Sequence, residues 1–147
     1  MGRVLGTPLR PARRSGRRPG RPVRTALIEE RLELAGRGLT IFRPPSPDDL
    51  IDEEAFDDEE FLPYWAELWP SGVALAQAVA GLDLAGARVL ELGAGLGLPS
   101  LAAAIRGGDV LATDWAEDAV ELLRENAAGN GIALRAERAR WDDPQPL

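Results

Sequence analysis

The sequence predicts an α/β protein, the first half of a Rossmann-like, doubly wound parallel sheet with a β-hairpin extension ahead of it. Three observations carry that expectation. From residue 71 onward the hydrophobic pattern alternates between helical and strand periods. The first apolar strand runs straight into glycines at alternate positions, in "RVLELGAGLGLPS", Arg88 to Ser100. The second strand, "DVLATD", closes on an acid, Asp114, 21 residues after Gly93. Strand, helix, strand, helix, strand at such spacing is the βαβαβ unit of an open parallel sheet.

In chain order, residues 1–24 hold eight arginines, four prolines, four glycines and no acid, a composition that neither buries a core nor holds a helix. This segment is expected to be a disordered, solvated tail. The eight arginines put the remaining chain at −15, against −7 for the whole. So acidic a body repels phosphate backbones, which argues against nucleic acid as a partner. Next, "RLELAGRGLTIFR" places Leu32, Leu34, Leu39 and Ile41 in alternation around a turn-prone "AGRG", the pattern of an accessory β-hairpin. Residues 48–60 carry nine acids in thirteen positions and read as a solvated linker, without EF-hand spacing and with no metal expected. The chain thus divides into a tail (1–24), a hairpin with its acidic linker (25–62) and an α/β half-domain (63–147).

A serine at N-cap position, Ser71, and an apolar face of Val73, Ala76, Val79 and Ala80 predict a helix to about Leu82. "ARVLELGAG" then reads as a buried strand entering a glycine turn. A second helix is expected from Pro99 to the Gly107-Gly108 pair, and a third from Ala116 to about Ala128 with Ala119, Leu122, Leu123 and Asn126 on neighbouring faces. "IALRAERARW" is a weaker third strand.

The chain has no cysteine and no histidine, which excludes disulfides, thiolate zinc sites, histidine bases and the familiar nucleophilic triads. No run approaches 18 apolar residues and the N-terminus lacks an apolar h-region, so no membrane partner and a cytoplasmic protein are expected. In a doubly wound sheet the first strand-to-helix turn is where a nucleotide-like cofactor comes closest to the backbone. Gly93 and Gly95 remove the Cβ atoms that would block its approach, and Gly97 lets the following helix pack tightly on the strand. Asp114 has the geometry to accept hydrogen bonds from two ribose hydroxyls, which suits S-adenosylmethionine and NAD alike. Leu98 stands where the third glycine of a dinucleotide fingerprint would be, and weakens the NAD reading. Trp141 and Asp142, after the third strand, are suited to an adenine face and its exocyclic amine, or, for the tryptophan, to a capping role in the core.

Taken together, "PYWAELWPSG", "VLELGAGLGLPSLAAA", "ATDW", "LLRENAAGN" and "RWDDP" resemble the class I, seven-strand S-adenosylmethionine-dependent methyltransferases, and within them methyltransferase family 16, over about residues 32–147. The resemblance implies that Glu91, Gly93, Ala94 and Gly95 form the cofactor loop, that Asp114 holds the ribose, that Trp141 contacts the adenine and that Trp69 lies near the methionine end. It implies methyl transfer from S-adenosylmethionine to a protein side chain or a small-molecule nitrogen, with no catalytic residue assigned. A complete domain of that fold has four more strands, and the first of these, the fourth of the fold, carries the segment where the methyl acceptor and the sulfonium meet. The chain is therefore expected to be a truncated piece, or a half completed by another polypeptide, inactive alone, with its first strand exposed at a sheet edge. The rival readings are an NAD-dependent oxidoreductase fragment and a non-catalytic binding module.

Overall fold

The computed structural model describes residues 26–50 and 63–140. Strand β1 (Ile28–Leu34) and strand β2 (Arg37–Arg43) form an antiparallel hairpin in which Leu32 faces Leu39 and Leu34 faces Arg37. The turn consists of Ala35 and Gly36 alone, both with positive φ (53° and 74°). That is the conformation of two-residue hairpin loops whose twist matches the strands. Single 3-10 turns follow at Pro47–Leu50 and Tyr64–Ala66. Then come α1 (Pro70–Ala80), β3 (Arg88–Leu92), α2 (Leu98–Ile105), β4 (Asp109–Asp114), α3 (Glu117–Gly129) and β5 (Arg135–Arg138).

Strands β3, β4 and β5 make one parallel sheet in that spatial order, with Arg88 opposite Asp109 and Leu111 opposite Arg135. The βαβαβ unit and the glycine turn therefore stand as the sequence predicts. Helix α1 differs at its start. Pro70 is the first helical residue and Trp69 its N-cap, so Ser71 lies inside the first turn and caps nothing. Proline is favoured at that place because its missing N–H would have had no partner there anyway.

Leu34, Leu39 and Ile41 of the hairpin belong to the same buried cluster as Ala76 of α1, Leu98 and Leu101 of α2, Leu123 of α3 and Ala112 of β4. Apolar burial thus joins hairpin, helices and sheet. Hydrogen bonds fix how the hairpin sits. The amide of Asn126, 1% exposed, accepts from the Phe42 N–H (2.8 Å) and donates to the Phe42 carbonyl (2.9 Å). One helical turn on, Asn130 accepts from the Thr40 N–H (2.9 Å) and donates to the Thr40 carbonyl (2.7 Å). Four helical residues rise about 6 Å and two strand residues about 6.7 Å, so the two amides match the free edge of β2 as a neighbouring strand would. An edge that would otherwise template another chain is thereby closed by side chains.

Strand β3 departs from a fully buried strand. Val89 and Glu91 face α2, whereas Leu90 and Leu92 on the other face are 50% and 52% exposed. Among the described residues β3 pairs with β4 alone. No described helix is long and apolar enough to cross a membrane.

Replacing Asn126 by Ala strands the N–H and carbonyl of Phe42 and should cost about 2 kcal/mol, the scale for leaving part-buried polar groups unpaired. Asn126→Asp should cost at least as much at pH 7, because it faces the Phe42 carbonyl with a negative charge. Urea denaturation checks both, and unchanged midpoints would mean that apolar burial alone seats the hairpin.

Candidate cofactor-binding site

Beyond Leu92 the chain passes through Gly93 (φ 67°), Ala94, Gly95 (φ 53°), Leu96 and Gly97 (φ 69°) into α2. Three left-handed residues in five fold this turn back over the carboxyl ends of β3 and β4. The Ala94 N–H donates to the Thr113 carbonyl (2.9 Å), and the Thr113 hydroxyl donates to the Glu91 carbonyl (2.9 Å). Strand β4 thus carries the glycine turn.

Asp114 ties the turn down. One oxygen of its carboxylate accepts from the Gly95 N–H (2.8 Å), and the other from the Ala116 N–H (2.9 Å) at the entry to α3. Its backbone carbonyl accepts from the Ala139 N–H (2.9 Å), just past β5. The side chain is 5% exposed, yet it lines the cleft above the sheet. A carboxylate has about four acceptor positions, so these two bonds leave one on each oxygen for a further donor.

The glycines have separate causes. A Cβ on Gly95 would stand 3.0 Å from the Trp65 carbonyl oxygen, so the turn leans on the backbone of the 64–66 segment rather than leaving an open gap there. A Cβ on Gly97 would stand 2.4 Å from a methyl of Leu123. Its smallness therefore serves contact with α3, not contact between α2 and the strand as the sequence suggested. Gly93 and Ala94 both line the cleft.

The cleft measures about 740 Å³, within the range of small-molecule sites. Tyr64, Trp65, Trp69 and Leu75 line it together with the glycine turn, Leu90, Glu91 and Asp114. Trp69 is 49% exposed, its indole N–H donating to the Tyr64 carbonyl (2.9 Å), and its ring meets Tyr64 edge to face at 6.3 Å. It both anchors the segment before α1 and leaves ring surface on the cleft. Of the residues singled out in the sequence, Trp69, Glu91, Gly93, Ala94, Gly95 and Asp114 come together here. Trp141 and Asp142 lie outside the described residues, as do residues 1–25 and most of the acidic linker. Leu75 was missed, and Tyr64, inside the "PYWAELWPSG" stretch, was given no role of its own.

Glu91 is half-buried beside α2, and the hydroxyl of Ser100 donates to its carboxylate. Burial pushes its pKa up, Asp114 adds to the rise, and the Ser100 hydroxyl and N–H draw it back in part. A partly buried pair of carboxylates beside aromatic and apolar walls fits a cationic nucleoside. The carboxylates suit its positive charge and ribose hydroxyls.

The fold is Rossmann-like, of the kind found in S-adenosylmethionine-dependent methyltransferases. The T. thermophilus 16S rRNA N2 G1207 methyltransferase (RsmC), solved in complex with AdoMet and guanosine, superposes with a TM-score of 0.57 at 19% identity, over 80% of this chain and 29% of that one. The Pyrococcus abyssi tRNA (uracil-54, C5)-methyltransferase, in complex with S-adenosyl-L-homocysteine, gives a TM-score of 0.51 at 19% identity, over 78% and 24%. A family model described as lysine methyltransferase matches residues 59–145, and the chain belongs to that family. It is 42% identical over 67 residues to the protein N-lysine methyltransferase METTL21A of Danio rerio, over 44% of this chain and 30% of that protein. The chain thus spans about a third or less of the length of each of these relatives.

The raised pKa of Glu91 carries a signed expectation. Its folded form holds the proton more tightly than the unfolded chain, so stability falls as pH rises from the ordinary glutamate range through the raised value. Glu91→Gln keeps an acceptor for Ser100 and removes that cost. The urea midpoint of Glu91→Gln relative to the parent should therefore be higher at pH 7 than at pH 4. A difference that does not change with pH would mean that Glu91 titrates alike in both states.

Proposed function

We propose that the chain supplies the cofactor-binding half of an S-adenosylmethionine-dependent methyltransferase whose methyl acceptor is a lysine side chain of a protein. The observation that carries the cofactor reading is the convergence of Glu91 and Asp114 on one cleft, over a glycine turn at the carboxyl ends of β3 and β4. The protein acceptor is supported by the family match and by the zebrafish relative. When bound, the cofactor supplies an electrophilic methyl group on a sulfonium.

The residues of this chain bind and orient. Asp114 offers each carboxylate oxygen's remaining acceptor position to a ribose hydroxyl. Glu91 offers the negative charge that suits the ammonium of the cofactor's amino-acid arm, while Gly93 exposes backbone to the same arm. The half-exposed ring of Trp69 faces the cleft at its rim, where a cation gains from an aromatic face. Transfer of a methyl group asks mainly for in-line placement of a neutral amine, so fixing the sulfonium in a walled cleft is the larger share of this half's work.

An NAD-dependent oxidoreductase fragment needs a close helix start at position 98, where this chain has a buried leucine. The family match speaks against that reading and equally against a binding module without chemistry.

Calorimetric titration of the chain with S-adenosylhomocysteine, and separately with NAD, tests the proposal. Saturable binding of S-adenosylhomocysteine alone is expected, with Asp114→Asn weakening it by about 1.5–3 kcal/mol, the range for hydrogen bonds to a charged group. Equal binding of NAD, or an Asp114→Asn variant that binds as the parent does, would overturn it.

A further inference from the structure

Ser100 is not among the residues that line the cleft. It is 1% exposed, in the first turn of α2, and its hydroxyl donates to the Glu91 carboxylate across the gap between helix and strand. Helix α2 has no capping side chain of its own: its N-cap is Gly97 and no acid lies in its first turn. The carboxylate of β3 is therefore fixed by the helix that the glycine turn leads into. Among the described residues no positive charge faces Glu91, and its neighbouring charge, Asp114, is of the same sign. A half-buried carboxylate held by the hydroxyl and the N–H of Ser100 at the start of α2, opening on a cleft and facing no cation among the described residues, is suited to a positively charged group.

We propose that Ser100 is a positioning residue for the cofactor: its hydroxyl pins one oxygen of Glu91 so that the carboxylate presents its charge to the ammonium of the cofactor's amino-acid arm. This rests on the cofactor reading above and deepens it, since it assigns the recognition of that arm to a pair of side chains, one of which never meets the ligand. Without the hydroxyl Glu91 keeps only its bond from the Ser100 N–H and is less fixed, so more of its ordering falls at the moment of binding. The hydroxyl also favours the charged form of the carboxylate against the burial that disfavours it.

The rival explanation is that Ser100 only completes the start of α2 and supports the glycine turn as a whole. The two differ in which ligand they affect. S-adenosylhomocysteine carries the ammonium; 5′-methylthioadenosine has the same nucleoside and thioether but no amino-acid arm. Titrating both into the parent and into Ser100→Ala separates the cases. The proposal expects roughly tenfold weaker binding of S-adenosylhomocysteine to Ser100→Ala, with the affinity for methylthioadenosine changed less than about twofold. Ser100→Cys, nearly the same size with a far weaker donor, should show the same selective loss and covers the case in which the alanine variant fails to fold. Equal losses for both ligands, or no loss for either, would overturn the positioning role while leaving the cofactor reading intact. A parent chain that binds neither ligand would overturn the cofactor reading, and the role of Ser100 with it.

Discussion

The carboxylate of Asp114 holds two loops at once. Through Gly95 it fixes the turn after β3, and through Ala116 the turn after β4, while its own backbone carbonyl is bonded to the segment after β5. Three parallel strands therefore end in one hydrogen-bonded knot centred on a single buried acid. Backbone N–H groups donating to an ionised carboxylate are among the stronger hydrogen bonds in proteins. A glycine turn with three residues at positive φ has much conformational freedom to lose, and the acid is what selects one conformation from it. The cleft's shape follows, because that turn is part of its lining.

Packing supplies the other constraint. The turn is confined from behind by the Trp65 backbone and from the side by Leu123, at Gly95 and Gly97 respectively. Leu123 is in turn on α3, the helix whose Asn126 and Asn130 grip the hairpin. Hairpin, third helix and glycine turn are thus linked by contacts that tolerate little change in volume. The opposite face of β3, with Leu90 and Leu92, is open among the described residues, and part of that face borders the cleft.

The elements with clear periodicity or punctuation were legible in the sequence. Glycines and prolines marked the ends of α2 and α3, and apolar runs marked β3 and β4. The acid at the end of β4 was legible too, because strand ends in a parallel sheet are where ligands sit. What could not be read was any contact whose partners lie far apart in sequence. Asn126 stood out only as one of four residues on neighbouring faces of α3, yet its bonds run to Phe42 across 84 positions. The pairing of Ser100 with Glu91 depends on how α2 folds back along β3, and no spacing rule announces it. Ser71 misled because serine before an apolar face is a good N-cap signal, whereas Pro70 had already fixed the helix start one residue earlier. Gly97 was correctly read as a close-contact glycine but given the wrong neighbour, since the sequence does not say which helix crosses there.

The central claim is that Asp114 organises the cleft before any ligand arrives. Amide hydrogen exchange of the free chain, resolved at Gly95 and Ala116, tests it most directly, because both N–H groups lie outside the strands and the helices and owe their protection to that carboxylate. The account predicts that both exchange as slowly as the amides of β4, such as Ala112. Exchange of Gly95 at the rate of an open loop, with β4 still protected, would contradict it.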